Sequence, residues 1–282
     1  MKYIVLAILF SLIIGIGSAQ DQQIIHLWPG DVPGEKEAKH EAVVTDNKKG
    51  NVIRLTDVTD PIITFYPAPS NINTGKAIIV CPGGGYSILA IDKEGYEIAE
   101  WLNTLGINAF VLQYRVPDKQ AGALLDVQRA IRIVRYRARE WHLNPGKVGV
   151  IGFSAGGSLA ARLSTNDHLN TYKNIDKADE ESYKPDFVLL IYSAYLDNGP
   201  GRSLSPELIV NENTPPMFLF GTADDPYSNS LIVMADALHD IKVPFELHIL
   251  SEGGHGYGLR PGIKAAEAWP KLAKGWLELD GN

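Results

Sequence analysis

Hydrophobic positions along the chain alternate between short continuous runs and runs with helical spacing. Apolar residues fill Ala77–Cys81 without interruption, which is typical of a strand covered on both faces. Between residues 98 and 105 the apolar positions recur every three or four residues, which predicts a helix that Gly106 ends. Another continuous run follows over 109–114. This order of buried strand, amphipathic helix and buried strand predicts a parallel sheet.

The same alternation continues to the end of the chain. It predicts strands over 52–56, 61–67, 77–81, 109–114, 147–151, 187–192, 217–220 and 245–250, and helices over 122–141, 155–164, 231–239 and 262–277. The first two strands are β-branched and lie close together, so we expect an antiparallel start to the sheet. The predicted fold class is α/β, a doubly wound and mostly parallel sheet with helices on both faces.

The N-terminus has the features of an export signal. Lys2 precedes an apolar run over 3–17, and small residues follow up to Ala19. We therefore predict a signal peptide over 1–19, a single catalytic domain over 20–282, and a mature protein that is secreted or periplasmic, with no membrane contact. An uncleaved membrane anchor is the alternative, but the run is shorter than the roughly 20 residues of a spanning helix.

Composition and charge exclude several classes of protein. The 282 residues are 45% hydrophobic and 21% charged, as in an ordinary globular protein. The net charge of −7 argues against a nucleic-acid partner, which would require a basic surface. Cys81 is the one cysteine, so no internal disulfide forms and no zinc or redox spacing is present. Nothing in the sequence indicates a metal or a cofactor, and the oligomeric state cannot be read from it.

A strand-to-helix turn carries the first candidate for chemistry. Gly152-Phe153-Ser154-Ala155-Gly156 follows a predicted strand and begins a predicted helix. Such a turn lifts a serine hydroxyl clear of the sheet, and its glycines allow neighbouring backbone to pass close by. The alternative is a plain glycine-rich turn. The flanking strand and helix favour a nucleophilic Ser154.

A serine nucleophile needs a base, and His255 is the best placed of seven histidines. It lies in a glycine-rich loop after the last predicted strand. The others occupy positions typical of structural or surface residues: His26, His40, His142, His239 and His248. His168, which follows the helix after Ser154, is the one rival.

A carboxylate should orient the histidine, and the loop after strand 217–220 offers two. Asp224 or Asp225 can hold the tautomer of His255 and stabilise its imidazolium form. The other aspartate then has an ordinary role in a turn or helix cap. The order serine, aspartate, histidine is that of α/β-hydrolases.

A glycine-rich loop after the strand Ala77–Cys81 supplies a third element. Backbone amides there can stabilise an oxyanion, and the predicted donors are Gly84, Gly85 and Ala155, the residue after the nucleophile. A phosphate-binding loop is the alternative, but the lysine and the serine or threonine of a P-loop are missing. Cys81 is interpreted as a small buried hydrophobe rather than a nucleophile.

Over most of the chain the sequence resembles the secreted bacterial α/β-hydrolases known as acetylxylan esterases or xylanase-like esterases. These are relatives of the lipases and esterases with an H-G-G-G loop. The resemblance rests on Leu27-Trp28-Pro29-Gly30, Cys81-Pro82-Gly83-Gly84-Gly85-Tyr86, Lys93-Glu94-Gly95, Leu112-Gln113-Tyr114-Arg115, Gly152-Phe153-Ser154-Ala155-Gly156-Gly157, Gly221-Thr222-Ala223-Asp224 and Gly254-His255-Gly256.

The resemblance implies an α/β-hydrolase fold and a serine esterase that removes acetyl groups from xylan or related oligosaccharides. It also implies Asp224 rather than Asp225 as the acid, because that carboxylate usually stands three residues after the glycine that ends the strand. Pro82 replaces the histidine of the H-G-G-G form, which mainly supports the loop, so the oxyanion interpretation is unchanged.

The substrate is the least determined point. No long insertion resembles a lipase lid, which favours a small acyl group. Tyr86 and Tyr257 adjoin the oxyanion loop and the histidine, so we expect their rings either to stack on sugars or to pack in the wall of the site.

Several alternative functions stay open at this stage. They are an esterase for another acyl group such as feruloyl, a peptidase of the prolyl oligopeptidase kind, a non-catalytic carbohydrate-binding module, and glycoside cleavage by two carboxylates. The peptidase usually carries a propeller domain, for which 282 residues leave no room.

Overall fold

The computed structural model describes residues 22–47, 49–165 and 172–279. The predicted signal peptide over 1–19 and the rival His168 lie outside the described residues. None of the helices in these ranges has both the length and the apolar character needed to cross a membrane.

Eleven strands and five α-helices are found in the described ranges. The strands are β1 Gln23–His26, β2 Val43–Val44, β3 Arg54–Thr56, β4 Ile62–Tyr66, β5 Ala77–Cys81, β6 Leu89–Ala90, β7 Asn108–Gln113, β8 Val148–Phe153, β9 Val188–Ile191, β10 Met217–Thr222 and β11 Phe245–Leu250. The helices are α1 Glu97–Thr104, α2 Gln120–Tyr136, α3 Ala155–Thr165, α4 Ser228–Ile241 and α5 Lys264–Leu277, and a π-helical turn, Asp92–Tyr96, leads into α1.

Eight strands form the main sheet, in the order β1-β4-β7-β5-β8-β9-β10-β11. The strands from β7 to β11 in this order pair in parallel, and β1 and β4 are antiparallel at one edge. Every residue of β5 and β8 is buried, as their continuous apolar runs predicted. The doubly wound, mostly parallel α/β class is confirmed.

The start of the sheet differs from the sequence prediction. The strand predicted over 61–67 is β4 and pairs with β1 and β7, whereas β3 pairs with β2 and β6 in a separate three-stranded sheet. The chain turns between them at Asp57, whose φ is 54°, and the next residue, Val58, donates its amide to Val116. The two segments therefore go to different sheets. The predicted antiparallel start is confirmed for β4, but the strand predicted over 52–56 is not part of it.

Helices cover both faces of the main sheet. Adjacent residues of a strand point to opposite faces, and in β8 the Cα of Gly152 faces the backbone at the start of α3. The ring of Phe153, the next residue, contacts Trp269 of α5 at 5.7 Å. Helices α3 and α5 therefore lie on opposite sides of the sheet, and the carboxyl end of β8 opens between them.

A buried ion pair ties the segment after β7 to α2. The guanidinium of Arg115 donates to the carboxylate of Asp126 in α2 at 2.9 Å, and the indole of Trp28 donates to the same carboxylate at 2.9 Å. Both charged residues are almost inaccessible, so each needs the other to stay buried as an ion. The same segment donates the amide of Asp118 to the carbonyl of Tyr86 at 2.9 Å. It therefore supports the glycine-rich loop that follows β5.

Candidate active site

The loops that follow β5, β8, β10 and β11 meet at one edge of the main sheet. Since these strands are parallel, their carboxyl ends lie on the same side, where open α/β sheets place their sites. They bring together the predicted serine, histidine, aspartate and glycine residues. The site is therefore built from segments far apart in the sequence.

Ser154 occupies the tight turn between β8 and α3. Its φ is 52°, a left-handed conformation that costs energy for a residue with a side chain. Glycines make this turn possible, because the start of α3 passes too close to β8 and to the end of β5 for side chains at Gly152 and Gly156. A Cβ on Gly152 would lie 2.2 Å from the carbonyl oxygen of Gly156, and one on Gly156 would lie 2.1 Å from the carbonyl oxygen of Cys81.

His255 reaches Ser154 from the loop after β11. Its Nε2 lies 2.7 Å from the Oγ of Ser154, and its Nδ1 lies 2.8 Å from Oδ2 of Asp225. A carboxylate only accepts, so Nδ1 carries the proton and donates to Asp225. The unprotonated Nε2 then accepts the hydrogen bond from the serine hydroxyl. This is the tautomer a general base requires.

The residue that orients His255 is Asp225, and the prediction of Asp224 was wrong. It assumed that β10 ends at Gly221, but the strand continues through Thr222. The turn is therefore displaced by one residue. The side chain of Asp225 is 3% exposed and faces the histidine, and its other oxygen accepts from the amide of Tyr227 at 2.9 Å.

Asp224 instead holds the backbone of the histidine loop. Its exposed carboxylate accepts from the amides of Gly254 at 2.9 Å and Gly253 at 3.1 Å. These bonds, the one from Gly254 first, lower the pKa of Asp224 below its ordinary value. The adjacent aspartates therefore have separate tasks, since Asp225 fixes the imidazole and Asp224 fixes the chain that carries it.

The glycine-rich loop after β5 lies beside the serine. The amide of Gly83 is already bonded to the Oε2 of Glu94 at 2.8 Å. Gly84 and Gly85 line the cleft with Ser154, and none of the described residues accepts a hydrogen bond from either amide. The amide of Ala155 is in the first turn of α3, where helices leave amides without an internal partner. These three predicted donors can therefore serve an anion next to Ser154.

A buried carboxylate connects this loop to the histidine loop. Glu94, in the π-helical turn, is 3% exposed, and its Oε1 accepts from the hydroxyl of Tyr192 at 2.9 Å. The Tyr192 oxygen in turn accepts from the amide of Gly258 at 3.0 Å. A continuous chain of hydrogen bonds thus runs from Gly83 through Glu94 and Tyr192 to Gly258. Burial raises the pKa of Glu94 and raises that of Tyr192 well above its ordinary value.

The aromatic side chains at the cleft are not the predicted ones. Tyr86 and Tyr257 are 4% and 3% exposed, and neither lines the cleft, so of the two alternatives for these rings, stacking on substrate was wrong and both are packed. The ring of Tyr257 packs on Tyr192 at 4.5 Å. Tyr195 and Tyr227 line the cleft instead, with their rings 5.4 Å apart, and Tyr227 also contacts the ring of His255.

Sequence reasoning missed five polar residues that line the cleft: Arg54, Lys93, Glu94, Tyr195 and Tyr227. Tyr195 and Tyr227 each follow a parallel strand by a few residues, which was the signal available for them. Lys93 and Glu94 lie in a segment singled out above without a role. The cleft they share with Ser154 has a volume of about 310 Å³.

Cys81 is fully buried at the end of β5, and burial raises the pKa of its thiol. This confirms its interpretation as a core residue.

The described part of the chain contains one group of three possible metal ligands within 4.8 Å of one another. It consists of Glu37, His40 and Asp57. None of these three lines the cleft that holds Ser154.

The arrangement provides an activated hydroxyl, a base with a fixed tautomer and free amide donors for an oxyanion. These are the parts that transfer an acyl group through a covalent intermediate.

Comparisons with known proteins agree with this chemistry. The family model BD-FAE matches residues 64–194. The chain is 32% identical over 219 residues to an acetylxylan esterase of Xylanibacter ruminicola, covering 73% of this chain and 46% of that protein. It is also 32% identical over 208 residues to endo-1,4-beta-xylanase B of Butyrivibrio fibrisolvens, covering 64% of this chain and 32% of that protein. The chain thus spans less than half the length of these two curated relatives.

A solved structure matches over a larger share of its length. The crystal structure of an acetyl ester-xyloside bifunctional hydrolase from Caldicellulosiruptor lactoaceticus is 35% identical, with a TM-score of 0.75, and the match covers 91% of this chain and 95% of that one. An α/β hydrolase from a deep-sea metagenome library is 27% identical, with a TM-score of 0.64. The match covers 84% of this chain and 96% of that one. The chain has an α/β fold, matches the family model and is 35% identical to a solved relative, of which the match covers 95%. It therefore belongs to the acetylxylan esterase-like family of α/β-hydrolases.

Proposed function

We propose that the protein is a serine carboxylesterase that removes acetyl groups, or similarly small acyl groups, from xylan or related plant oligosaccharides. The observation that carries this proposal is the hydrogen-bonded series of Ser154, His255 and Asp225 at the edge of an open cleft. The names of the relatives, an acetylxylan esterase and an acetyl ester-xyloside hydrolase, support the choice of substrate. The cleft volume of about 310 Å³ is at the small end for ligand sites, which favours a short acyl group.

Acylation of the serine is the first chemical step. The Oγ of Ser154 attacks the ester carbonyl while Nε2 of His255 takes its proton, and Asp225 stabilises the imidazolium that forms. The carbonyl oxygen becomes an oxyanion, which the amides of Gly84, Gly85 and Ala155 stabilise. The imidazolium then gives its proton to the sugar oxygen. The sugar leaves as an alcohol and the acyl group stays on Ser154.

Water completes the cycle by the same route. His255 takes a proton from a water molecule as that water attacks the acyl carbonyl, and the oxyanion forms at the same amides. Collapse of this intermediate breaks the bond to Oγ, and His255 returns the proton to Ser154. The products are acetate and the free enzyme.

The first prediction concerns which bond is cleaved in acetylated xylan. We expect wild type to release acetate and Ser154→Ala to release at least a thousandfold less, because the nucleophile is lost. Acetate and reducing ends are measured in the same samples. Reducing ends without acetate would overturn the proposal in favour of glycoside cleavage. Feruloyl xylan and a proline-containing peptide ester are assayed in parallel to test the other acyl substrates.

The second prediction distinguishes the adjacent aspartates. Asp225→Asn should lower kcat by about 10³ to 10⁴, because the asparagine oxygen keeps the bond from the Tyr227 amide and its NH2 group then faces Nδ1, which stabilises the wrong tautomer of His255. Asp224→Asn should lower it less than about tenfold, since an asparagine oxygen still accepts one loop amide. The assay is hydrolysis of 4-nitrophenyl acetate. A larger loss at Asp224 than at Asp225 would contradict the assignment.

The third prediction concerns Glu94 as a positioning residue. Glu94→Gln replaces one acceptor oxygen with an NH2 group. Either the hydrogen bond that Gly83 donates or the one that Tyr192 donates is therefore lost. We expect kcat for 4-nitrophenyl acetate to fall about tenfold or more with little change in KM, since one buried polar group loses its partner. The exposed Glu100→Gln in α1 is the matched control and should leave both parameters unchanged.

Stability provides the second readout for this variant. Because burial raises the pKa of Glu94, the folded protein binds its proton more tightly than the unfolded chain, and stability falls as pH rises above the ordinary glutamate value. The neutral glutamine removes that dependence. Urea midpoints at pH 5 and pH 8 should therefore be closer together in Glu94→Gln than in wild type. An unchanged kcat would show that Glu94 has no positioning role.

We further propose that the protein is exported, with cleavage after Ala19. The support is Lys2, the apolar run over 3–17 and the small residues that follow. The fourth prediction is that protein recovered from the periplasm or medium of an expressing bacterium begins at Gln20 by N-terminal sequencing. A mature chain that keeps residues 1–19 and sediments with membranes would contradict it.

A further inference from the structure

We propose that the cleft binds a carboxylate on the sugar chain, so that the preferred substrate is an acetylated oligosaccharide carrying a uronic acid next to the ester. This inference rests on the proposed function and names its substrate class more closely. It starts from two positive side chains, Arg54 and Lys93, that line the cleft together with Ser154 and His255.

Neither cation is neutralised by a carboxylate of the described residues. Most of the partly or fully buried arginines in these ranges form ion pairs with aspartate or glutamate. The guanidinium of Arg54 instead donates to backbone carbonyls of Asn47 and Lys49, both at 2.8 Å. Neutral carbonyls fix its position and leave its charge available to a ligand.

Lys93 is held in place by its stem. It lies in the π-helical turn, and a Cβ on Gly258 would lie 2.8 Å from Cγ of Lys93, so the aliphatic chain packs directly on the histidine loop. Its ammonium has no ion pair or hydrogen bond with the residues that the structure describes. Lys93 therefore lines the cleft from a position that its packed stem fixes.

Two carboxylates lie near these charges, and Glu94 interacts electrostatically with Lys93, but neither forms an ion pair with Lys93 or Arg54. Glu94 is buried and bonded to Gly83 and Tyr192, and Asp225 is buried behind His255. The chain as a whole carries a net charge of −7. The two positive charges at the cleft are thus opposite in sign to the net charge of the molecule. This difference favours an anionic group on the ligand.

The acetyl group of the proposed substrate is uncharged, so the anion belongs to the sugar part. A carboxylate is a planar acceptor that suits both an ammonium and a guanidinium donor. Among plant sugars, uronic acids supply this group. The proposal is therefore selection for a uronate side group close to the esterified sugar.

Binding of unacetylated ligands tests this without any catalysis. Calorimetry compares wild-type binding of a xylo-oligosaccharide that bears a glucuronic acid side group with binding of the neutral oligosaccharide of the same backbone. We expect the uronate ligand to bind about fivefold more tightly at low salt, as expected for partly exposed charge pairs, and less so at 0.5 M sodium chloride. Equal affinity, or no measurable binding of either ligand, would overturn the proposal.

Lys93→Met keeps the stem that packs on Gly258 and removes the charge. We expect this variant to show a smaller preference for the uronate ligand than wild type, because only Arg54 still supplies a charge. Lys271→Met, an exposed lysine on α5 away from the cleft, is the matched control and should keep the wild-type preference. A preference in Lys93→Met as large as that of wild type would overturn the role of Lys93.

Acetate release from neutral acetylated xylan separates this inference from the function on which it rests. Release without any preference for uronate ligands keeps the esterase and rejects the anion site. A uronate preference without acetate release from any acetylated xylan keeps the anion site and rejects the proposed esterase.

Discussion

Direct contact between two backbones sets the geometry on which the rest of the site depends. At the start of α3 the chain passes so close to the end of β5 that no side chain fits at Gly156. Backbone atoms have no rotamers, so this contact fixes the distance between the serine turn and the glycine-rich loop more rigidly than side-chain packing could. The left-handed conformation of Ser154 persists because the surrounding backbone leaves no alternative path.

Hydrogen bonds that involve polar side chains then attach the less rigid loops to this frame. Glu94 bonds the glycine loop, Tyr192 joins Glu94 to the histidine loop, and Asp224 holds that loop from the other side. Burying a carboxylate is unfavourable unless its oxygens are bonded, and both oxygens of Glu94 are. Burial of Glu94 thus lowers stability, but its hydrogen bonds fix the position of the oxyanion donors relative to His255.

The sequence predicted the buried parts of the fold better than the exposed parts. The run at Ala77–Cys81 matches β5 residue for residue, because a strand covered on both faces needs apolar residues throughout. The short strands β1, β2 and β6 were not predicted, since two to four residues with mixed exposure carry no periodic signal. Ser154 and His255 were predicted correctly because the order of strands, turns and loops determines their positions. The residue at which each element ends does not change that order.

The wrong predictions at the site depended on where a strand ends, to within one residue, or on the direction in which a side chain points. The acid was missed because β10 extends past Gly221, and nothing in the local sequence marks that extension. Tyr86 and Tyr257 were taken for cleft residues because they neighbour functional ones. Tyr86 has a φ of 59° and its ring packs beside Tyr114, so adjacency in sequence did not indicate which way the ring points.

The attachment of His255 to a loop also determines how the protein would lose its function. Ser154 lies between the central strand β8 and helix α3, whereas the segment around His255 is held by a few hydrogen bonds with Asp224, Thr222, Tyr192 and Trp269. Such a segment opens at a lower free energy than the core strands, in a local fluctuation that leaves the sheet intact. Inactivation by mild heat or denaturant would then begin with departure of the imidazole from the hydroxyl, and it would be reversible for as long as the two backbones at the serine turn stay in contact.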